Sequence, residues 1–197
     1  MEMNTGILIL WGIWDELYQR CTRLRYIEKG NNIFRIVRMR YRGEPLVTSD
    51  NRVISKGDLI LKLHIHNYYF ATLSKGVKDD LRVALLLRQQ IMRSLPQLAS
   101  YLNNMEERDE IKGIVGTTTL SKGVTPLGFS VSNVPMSWFF RYKRWYLKLM
   151  IRFIHPDGKK RMKTWDQDVP LKRVYMSKEE LLRRYLMQQP ERAGDTV

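Results

Sequence analysis

Two histidines separated by one residue are the side chains best suited to chemistry in this sequence. Asn67 follows His64 and His66 directly. Asp58 precedes them at an even position of the same alternating strand pattern, as do the two histidines. Side chains at i and i+2 of a strand point to one face and stand about 7 Å apart. Because imidazole exchanges protons near neutral pH, the four are candidate catalytic residues for a sugar or nucleotide-sugar substrate, with Asp58 as orienter.

The histidine pair does not complete a metal site. A catalytic zinc ion commonly has three protein ligands, and His155 has no recognisable spacing to the pair. Cys21 is the only cysteine, which excludes a cysteine-based zinc cluster and an internal disulfide. The sequence therefore predicts neither a metal nor a cofactor.

The glycines of the segment Gly113-Ile114-Val115-Gly116-Thr117 resemble those of a phosphate-binding loop. The segment lacks the Gly-Lys-Thr ending that such a loop needs. We expect a twisted strand with close backbone packing instead.

A basic and aromatic stretch, residues 135–165, is the strongest sign of a binding function. It holds nine Lys and Arg against one acid, together with eight aromatic residues. Rings can stack or anchor at an interface, and cations neutralise phosphates or anionic headgroups. The alternative is that the rings fill the core and the cations form an ordinary solvated face. The candidate residues for binding an anionic partner are Arg141, Lys143, Arg144, Lys148, Arg152, Lys159, Lys160, Arg161 and Lys163.

The whole chain is basic, with 34 Lys and Arg against 20 Asp and Glu and a formal net charge of +14. Such an excess favours an anionic membrane surface, an anionic polymer or nonspecific nucleic-acid binding. Signatures of sequence-specific nucleic-acid recognition are absent. A secretory signal is absent too, and the apolar run 7–14 is shorter than the roughly 20 residues that span a bilayer. We expect a cytoplasmic protein, soluble or peripheral at the inner membrane face.

Apolar spacing predicts three helical regions. The first covers residues 5–20, and the second covers residues 79–93 with Leu81, Ala84, Leu85, Arg88 and Met92 on one side. Pro96 is expected to kink or end the second helix, with Ser94 capping a further segment to residue 107. Ser177 and Glu180 form a capping box that opens a final helix reaching residue 188.

Strand patterns occupy much of the remaining chain. Residues 33–41 and 59–66 alternate, and a short strand is expected between residues 44 and 58. Residues 112–120 and 127–132 predict one hairpin, and a turn at 155–158 predicts a second. The fold class is therefore α+β, an antiparallel sheet with packed helices in one domain, residues 1–189, followed by a disordered tail, residues 190–197.

Several short segments together resemble the bacterial YkoP-like proteins. The resemblance spans residues 7–187 and rests on residues 57–58, 63–67, 113–117, 127–129 and 177–185. Members of that family occur alone or beside a polysaccharide deacetylase domain, so the resemblance implies a cell-envelope context and a polysaccharide-modifying enzyme as partner. It supplies no catalytic residues.

Three hypotheses follow from the sequence. The first is an accessory or binding module for an anionic partner, in envelope polysaccharide metabolism. The second is an enzyme that uses the histidine pair at a sheet rim. The third is nonspecific nucleic-acid binding.

Overall fold

The computed structural model describes residues 12–13, 15–17, 19–20, 22–77, 79–118, 123–134 and 171–187. The nine candidate anion-binding cations and the second predicted hairpin lie outside these ranges, as does the tail. Described residues between 12 and 22 are helical and are called the N-terminal helical segment. The strands are β1 (Arg25–Tyr26), β2 (Phe34–Arg40), β3 (Leu46–Val47), β4 (Val53–Ile54), β5 (Leu59–Ile65), β6 (Ile111–Thr118), β7 (Ser130–Asn133) and β8 (Lys172–Ser177). The helices are α1 (Asn67–Leu73), α2 (Asp80–Asn103) and α3 (Lys178–Tyr185).

Six strands form the main sheet in the order β1-β2-β5-β6-β8-β7, and β3 and β4 pair separately. Every pair in the main sheet is antiparallel except β5 with β6. A parallel pair needs a long crossover connection, which here contains α1 and α2. The α+β class, with a mostly antiparallel sheet and packed helices, is confirmed, and β5 with β6 is the one parallel pair of the described sheet.

The predicted hairpin between residues 112–120 and 127–132 is wrong. Strand β7 pairs with β8, with Val131 opposite Val174, and β8 lies between β7 and β6. Both edges of β6 are occupied, by β5 and by β8. The closeness of β6 and β7 along the chain therefore does not make them pair with each other.

Helix α2 packs on the first face of the main sheet. The alternation of β5 places Leu61 and Leu63 on this face, as the sequence predicts, where they join the fully buried Leu95, Leu98 and Leu102 of α2. Each buried leucine contributes about 2 kcal/mol to folding. The three leucines of α2 together contribute more than the cost of about 3 kcal/mol for a proline inside a helix. This difference accounts for the continuous helix.

Pro96 therefore does not end α2, and Ser94 is not a helix cap. The Ser94 hydroxyl accepts a hydrogen bond from the backbone N–H of Ile33 at 3.0 Å. The Asn32 side-chain amide donates to the Ser94 carbonyl at 3.1 Å and to Gln97 Oε1 at 2.8 Å. These bonds attach the entry of β2 to the middle of α2.

The small β3–β4 hairpin covers part of the second face of the main sheet. Ile54 of this hairpin packs with Tyr41, Ile60, Val115 and Tyr175. The sequence predicted a single short strand in this region, and the structure has two strands of two residues each. The hairpin thus forms a second, smaller hydrophobic cluster behind the sheet.

The capping prediction for the last helix is confirmed on one side. The Ser177 hydroxyl accepts a hydrogen bond from the backbone N–H of Glu180 at 3.0 Å. The Glu180 carboxylate binds Arg183 and Arg184 instead of reaching back to the cap. In the described ranges no helix is both long and apolar enough to cross a membrane.

Candidate functional site

A row of polar side chains crosses the second face of the main sheet, beyond the area that the hairpin covers. Register places Tyr26 opposite Arg35, Arg35 opposite His64, and Thr117 between the strands of His64 and Arg173. Ser132 lies opposite Arg173 on the last strand. The polar row is the set Tyr26, Arg35, His64, Thr117, Arg173 and Ser132. Because adjacent strands are about 4.8 Å apart, the row is about 24 Å long.

Lys62 extends the polar row toward the hairpin. It shares the second face with His64, two residues away on β5, and is half-buried. Burial lowers the pKa of Lys62, and the positive charge of Arg173 lowers it further. Among the described residues Lys62 has no hydrogen-bond or ion-pair partner. Two cations therefore lie near each other on a partly buried surface.

Arg173 is held in place by Tyr41. One guanidinium N–H donates to the Tyr41 hydroxyl oxygen at 2.7 Å, and the guanidinium lies 5.6 Å from the ring centroid. The Tyr41 hydroxyl donates in turn to the Glu44 carbonyl at 2.7 Å. A side chain at Gly43 would overlap the Tyr41 hydroxyl, so the loop approaches closely here. The remaining N–H groups of Arg173 meet no described carboxylate.

Two hydroxyl side chains stand beside these cations. Thr117 lies directly opposite Arg173 in the register of β6 and β8. Ser132 Oγ is buried and has no hydrogen-bond partner in the described structure. Hydroxyls donate readily to oxyanions, so the row offers both charge and neutral donors to an anion.

A buried ionic network occupies the other end of the polar row. Arg35 donates to both carboxylate oxygens of Asp15 at 2.8 Å, a bidentate pair. His66 Nε2 lies 3.1 Å from Asp15 Oδ2. Burial alone would raise the pKa of Asp15, but hydrogen bonds from His66 and Arg35 and the charge of Arg35 lower it below its usual value. The network joins the N-terminal helical segment to the sheet.

The network also orients the His66 ring. An ionised Asp15 only accepts hydrogen bonds, so Nε2 of His66 donates to it. The other ring nitrogen, Nδ1, is buried without a partner in the described part of the chain. The ring centroids of Tyr26 and Tyr69 lie 5.2 and 5.8 Å from that of His66. The enclosed Nδ1 fits a structural role for His66 better than proton transfer to a substrate.

The four candidate catalytic residues are not brought together. His64 lies in the polar row, whereas β5 ends before His66, and Asn67 begins α1. Asp58 lies at the opposite end of β5, about 20 Å from His64 at 3.3 Å per residue. Its carboxylate accepts from the Ser55 N–H at 2.7 Å, so it does not orient a histidine. The carboxylate that contacts His66 is that of Asp15.

Four charged residues of this site were not predicted from the sequence: Asp15, Arg35, Lys62 and Arg173. Lys62 and Arg35 stood on the polar side of recognised strands, so alternation alone could have shown that they share a face. Asp15 and Arg173 depend on long-range pairing, for which the sequence carries no local signal. No three His, Cys, Asp or Glu residues within the described ranges are grouped to hold a metal.

Comparison with known proteins identifies the family of this chain. The model of the YkoP domain matches residues 4–185. The chain is 34% identical over 140 residues to the uncharacterized protein YkoP of Bacillus subtilis (strain 168), which covers 71% of this chain and 76% of that protein. No solved structure matches. The chain therefore belongs to the YkoP domain family.

Proposed function

We propose that this protein is an accessory module that binds phosphate or carboxylate groups of an anionic partner on the second face of its main sheet. The observation that carries the proposal is that two cations, Lys62 and Arg173, lie near each other. Both cations lie on the same partly buried face, and no described carboxylate neutralises either one.

The contrast with Arg35 supports a binding role for this pair. Arg35 is more deeply buried, and its charge is met by a bidentate carboxylate. Removing a cation from water without a partner is costly. An anion between Lys62 and Arg173 would remove that cost, and the hydroxyls of Thr117 and Ser132 would supply further donors.

The partner we propose carries repeated phosphate or carboxylate groups, as an anionic membrane surface or an envelope polymer does. The net charge of +14 would draw such a polyanion to the molecule. The nine cations from Arg141 to Lys163 remain candidates for extending the contact. Because the resemblance to YkoP-like proteins implies a polysaccharide deacetylase nearby, we propose an envelope polysaccharide enzyme as the functional neighbour.

The test measures binding of the full chain to four probes: phosphatidylglycerol vesicles, phosphatidylcholine vesicles, polyphosphate and duplex DNA. We expect binding to phosphatidylglycerol or polyphosphate that weakens steeply with salt, since exposed charges are screened. Lys62→Met and Arg173→Met should each reduce that affinity about tenfold, the loss of one charge-assisted contact.

Lys56→Met is the matched control, because Lys56 is exposed and the substitution removes the same charge. The proposal fails if Lys56→Met and Lys62→Met weaken binding equally, or if neutral vesicles bind as well as anionic ones. Preferential binding to DNA that survives both site substitutions would favour the nucleic-acid hypothesis instead.

A second candidate function is catalysis on the bound anion. The observation that favours it is the position of His64 in the polar row, between the strands of Arg35 and Thr117. Incubation with nucleotide sugars, followed by phosphorus NMR, tests it. Turnover by the wild-type chain that is lost in His64→Ala, with binding retained, would establish catalysis, and no turnover would reject it.

A further inference from the structure

The apolar side of α2 changes from buried to exposed along the helix. Leu95, Ala99 and Leu102 are fully buried. Leu81, Leu85 and Met92 continue the same side toward the N-terminus, because their spacings follow the turns of the helix. Their exposed fractions are 67%, 52% and 45%. This side of the helix is therefore buried in its second half and exposed in its first half.

An apolar side on a helix normally indicates the side that faces the core. Here the first half of α2 contacts the core through a neighbouring side, with Leu87 buried and Val83 and Ile91 partly buried, so the side with Leu81, Leu85 and Met92 is left exposed. We name the exposed residues Leu81, Leu85, Arg88 and Met92 the α2 stripe. An exposed apolar patch of this kind marks an interaction surface.

The surface beside the α2 stripe is concave. One depression is lined by Gly76 and Val77 together with Leu85 and Gln89, and a second by Arg88 and Met92 together with the same Leu85 and Gln89. The shared residues make the two depressions continuous. A concave strip along a helix accommodates the side chains of another helix.

The charges around the α2 stripe are positive. Arg82, Arg88 and Arg93 are exposed along it. Asp79 is engaged, since its carboxylate accepts from the Leu81 N–H at 2.9 Å and lies 3.8 Å from Arg82. Arg88 and Arg93 form no ion pair within the described structure.

We propose that the α2 stripe is a docking site for an acidic amphipathic helix of a partner protein. The stripe from Leu81 to Met92 is about 17 Å long, which corresponds to about three helical turns. Apolar side chains of the partner would contact Leu81, Leu85 and Met92, and flanking Asp or Glu would pair with the arginines. A second copy of this chain fits poorly, because in a two-fold contact Arg88 would face Arg88.

This docking site is separate from the proposed anion site. Helix α2 packs on the first face of the main sheet, whereas Lys62 and Arg173 lie on the second. The two proposals can therefore fail independently.

The test uses the full chain and two short synthetic amphipathic helices that share a leucine side and carry either Glu or Lys on the flanks. Fluorescence anisotropy should show binding of the Glu peptide alone. Leu85→Glu should weaken that binding at least about tenfold, as expected for a residue at the centre of a contact. Val47→Glu is the control, since Val47 is equally exposed on the hairpin. Joint Arg88→Glu and Arg93→Glu substitutions should transfer binding to the Lys peptide.

Circular dichroism melting of each variant confirms that it is folded. Equal binding of the two peptides, equal loss with Val47→Glu, or no binding of the Glu peptide would each overturn the proposal. Binding to phosphatidylglycerol vesicles that Leu85→Glu abolishes, without peptide binding, would assign the α2 stripe to a membrane and also overturn it.

Discussion

Arg35 and Lys62 are two cations on one sheet face with opposite surroundings. Arg35 is matched by Asp15, whereas among the described residues the charge that acts on Lys62 is the like charge of Arg173. At the residue scale a buried charge with a partner supports the fold, and one without a partner costs stability. The two substitutions that follow separate these cases.

Replacing Lys62 with Met should stabilise the fold while weakening anion binding. Because the pKa of Lys62 is lowered by burial and by Arg173, the protonated form is penalised in the folded state. We expect the free energy of unfolding to rise by about 1 kcal/mol at neutral pH. The gain should shrink as the pH rises through the lowered folded pKa of Lys62 toward its unfolded value, near 10.4. Urea unfolding at pH 7 and pH 10 measures both effects, and a destabilised variant at pH 7 would contradict them.

Replacing Asp15 with Asn should destabilise the protein by about 3 kcal/mol, because it leaves Arg35 buried without a counter-charge. Glu16→Gln is the control one residue away. Its ion pair with Arg20 is exposed, so its loss should cost less than about 0.5 kcal/mol. Thermal melting of the two variants gives the comparison, and similar losses would show that the buried network is unimportant.

The Asp15 network also predicts the acid limit of stability. A carboxylate with a lowered pKa contributes stability that is complete above its unfolded value, near 3.9. The contribution is lost as the pH falls through the folded pKa. Wild-type stability should therefore fall below about pH 4 more steeply than that of Asp15→Asn. If the stabilities of the two proteins fell equally steeply below pH 4, that result would count against this assignment.

At the scale of elements, close packing of β6 requires its glycines. A Cβ at Gly113 would overlap the Met176 carbonyl oxygen and lie 2.9 Å from Ile54 Cδ1. The sequence predicts a closely packed strand at these glycines, and β6 confirms that prediction. A phosphate loop at this position is excluded, because the segment is paired on both edges.

Gly113→Ala should cost about 3 kcal/mol, the upper range for overpacking, because a backbone carbonyl cannot move aside cheaply. Gly116→Ala should cost less, since its nearest neighbour is a Val174 methyl at 3.2 Å. Urea midpoints of the two variants measure the difference. A greater loss at Gly116 would contradict the packing described for β6.

Local patterns predicted elements better than they predicted pairings. The alternation of Leu61 and Leu63 with Lys62 assigned both faces of β5 correctly, since side chains alternate along any strand. The prediction that Pro96 would end the helix failed, because the helix propensity of proline is a local cost. Burial of the leucines around Pro96 overrides that cost. The parallel pair of β5 and β6 could not be predicted, because register between distant strands depends on the packing of the whole sheet.

The same limit applied to the candidate site. His64 was recognised by its residue type and lies on the polar row. Asp58 shared its alternation, but strand length places it far from His64. The partnership of Asp15 with Arg35 joins residues 20 positions apart in different elements, and no periodic pattern connects them.

At the scale of the whole molecule, the two faces of the main sheet have different properties. The first face buries the larger hydrophobic cluster under α2. The second combines a small hydrophobic cluster with the polar row and Lys62. A domain that keeps charged side chains partly buried on one face gives up stability there, which is common at binding sites. We therefore propose that this second face binds anions.

Anion binding on this face can be measured by titrating inorganic phosphate into the isotopically labelled chain and following the backbone amide chemical shifts. We predict that the largest shifts occur at residues 61–64, 115–118 and 172–174, and that Lys62→Met and Arg173→Met remove them. Shifts confined to other surfaces, or a response in the polar row that both substitutions leave unchanged, would contradict the account.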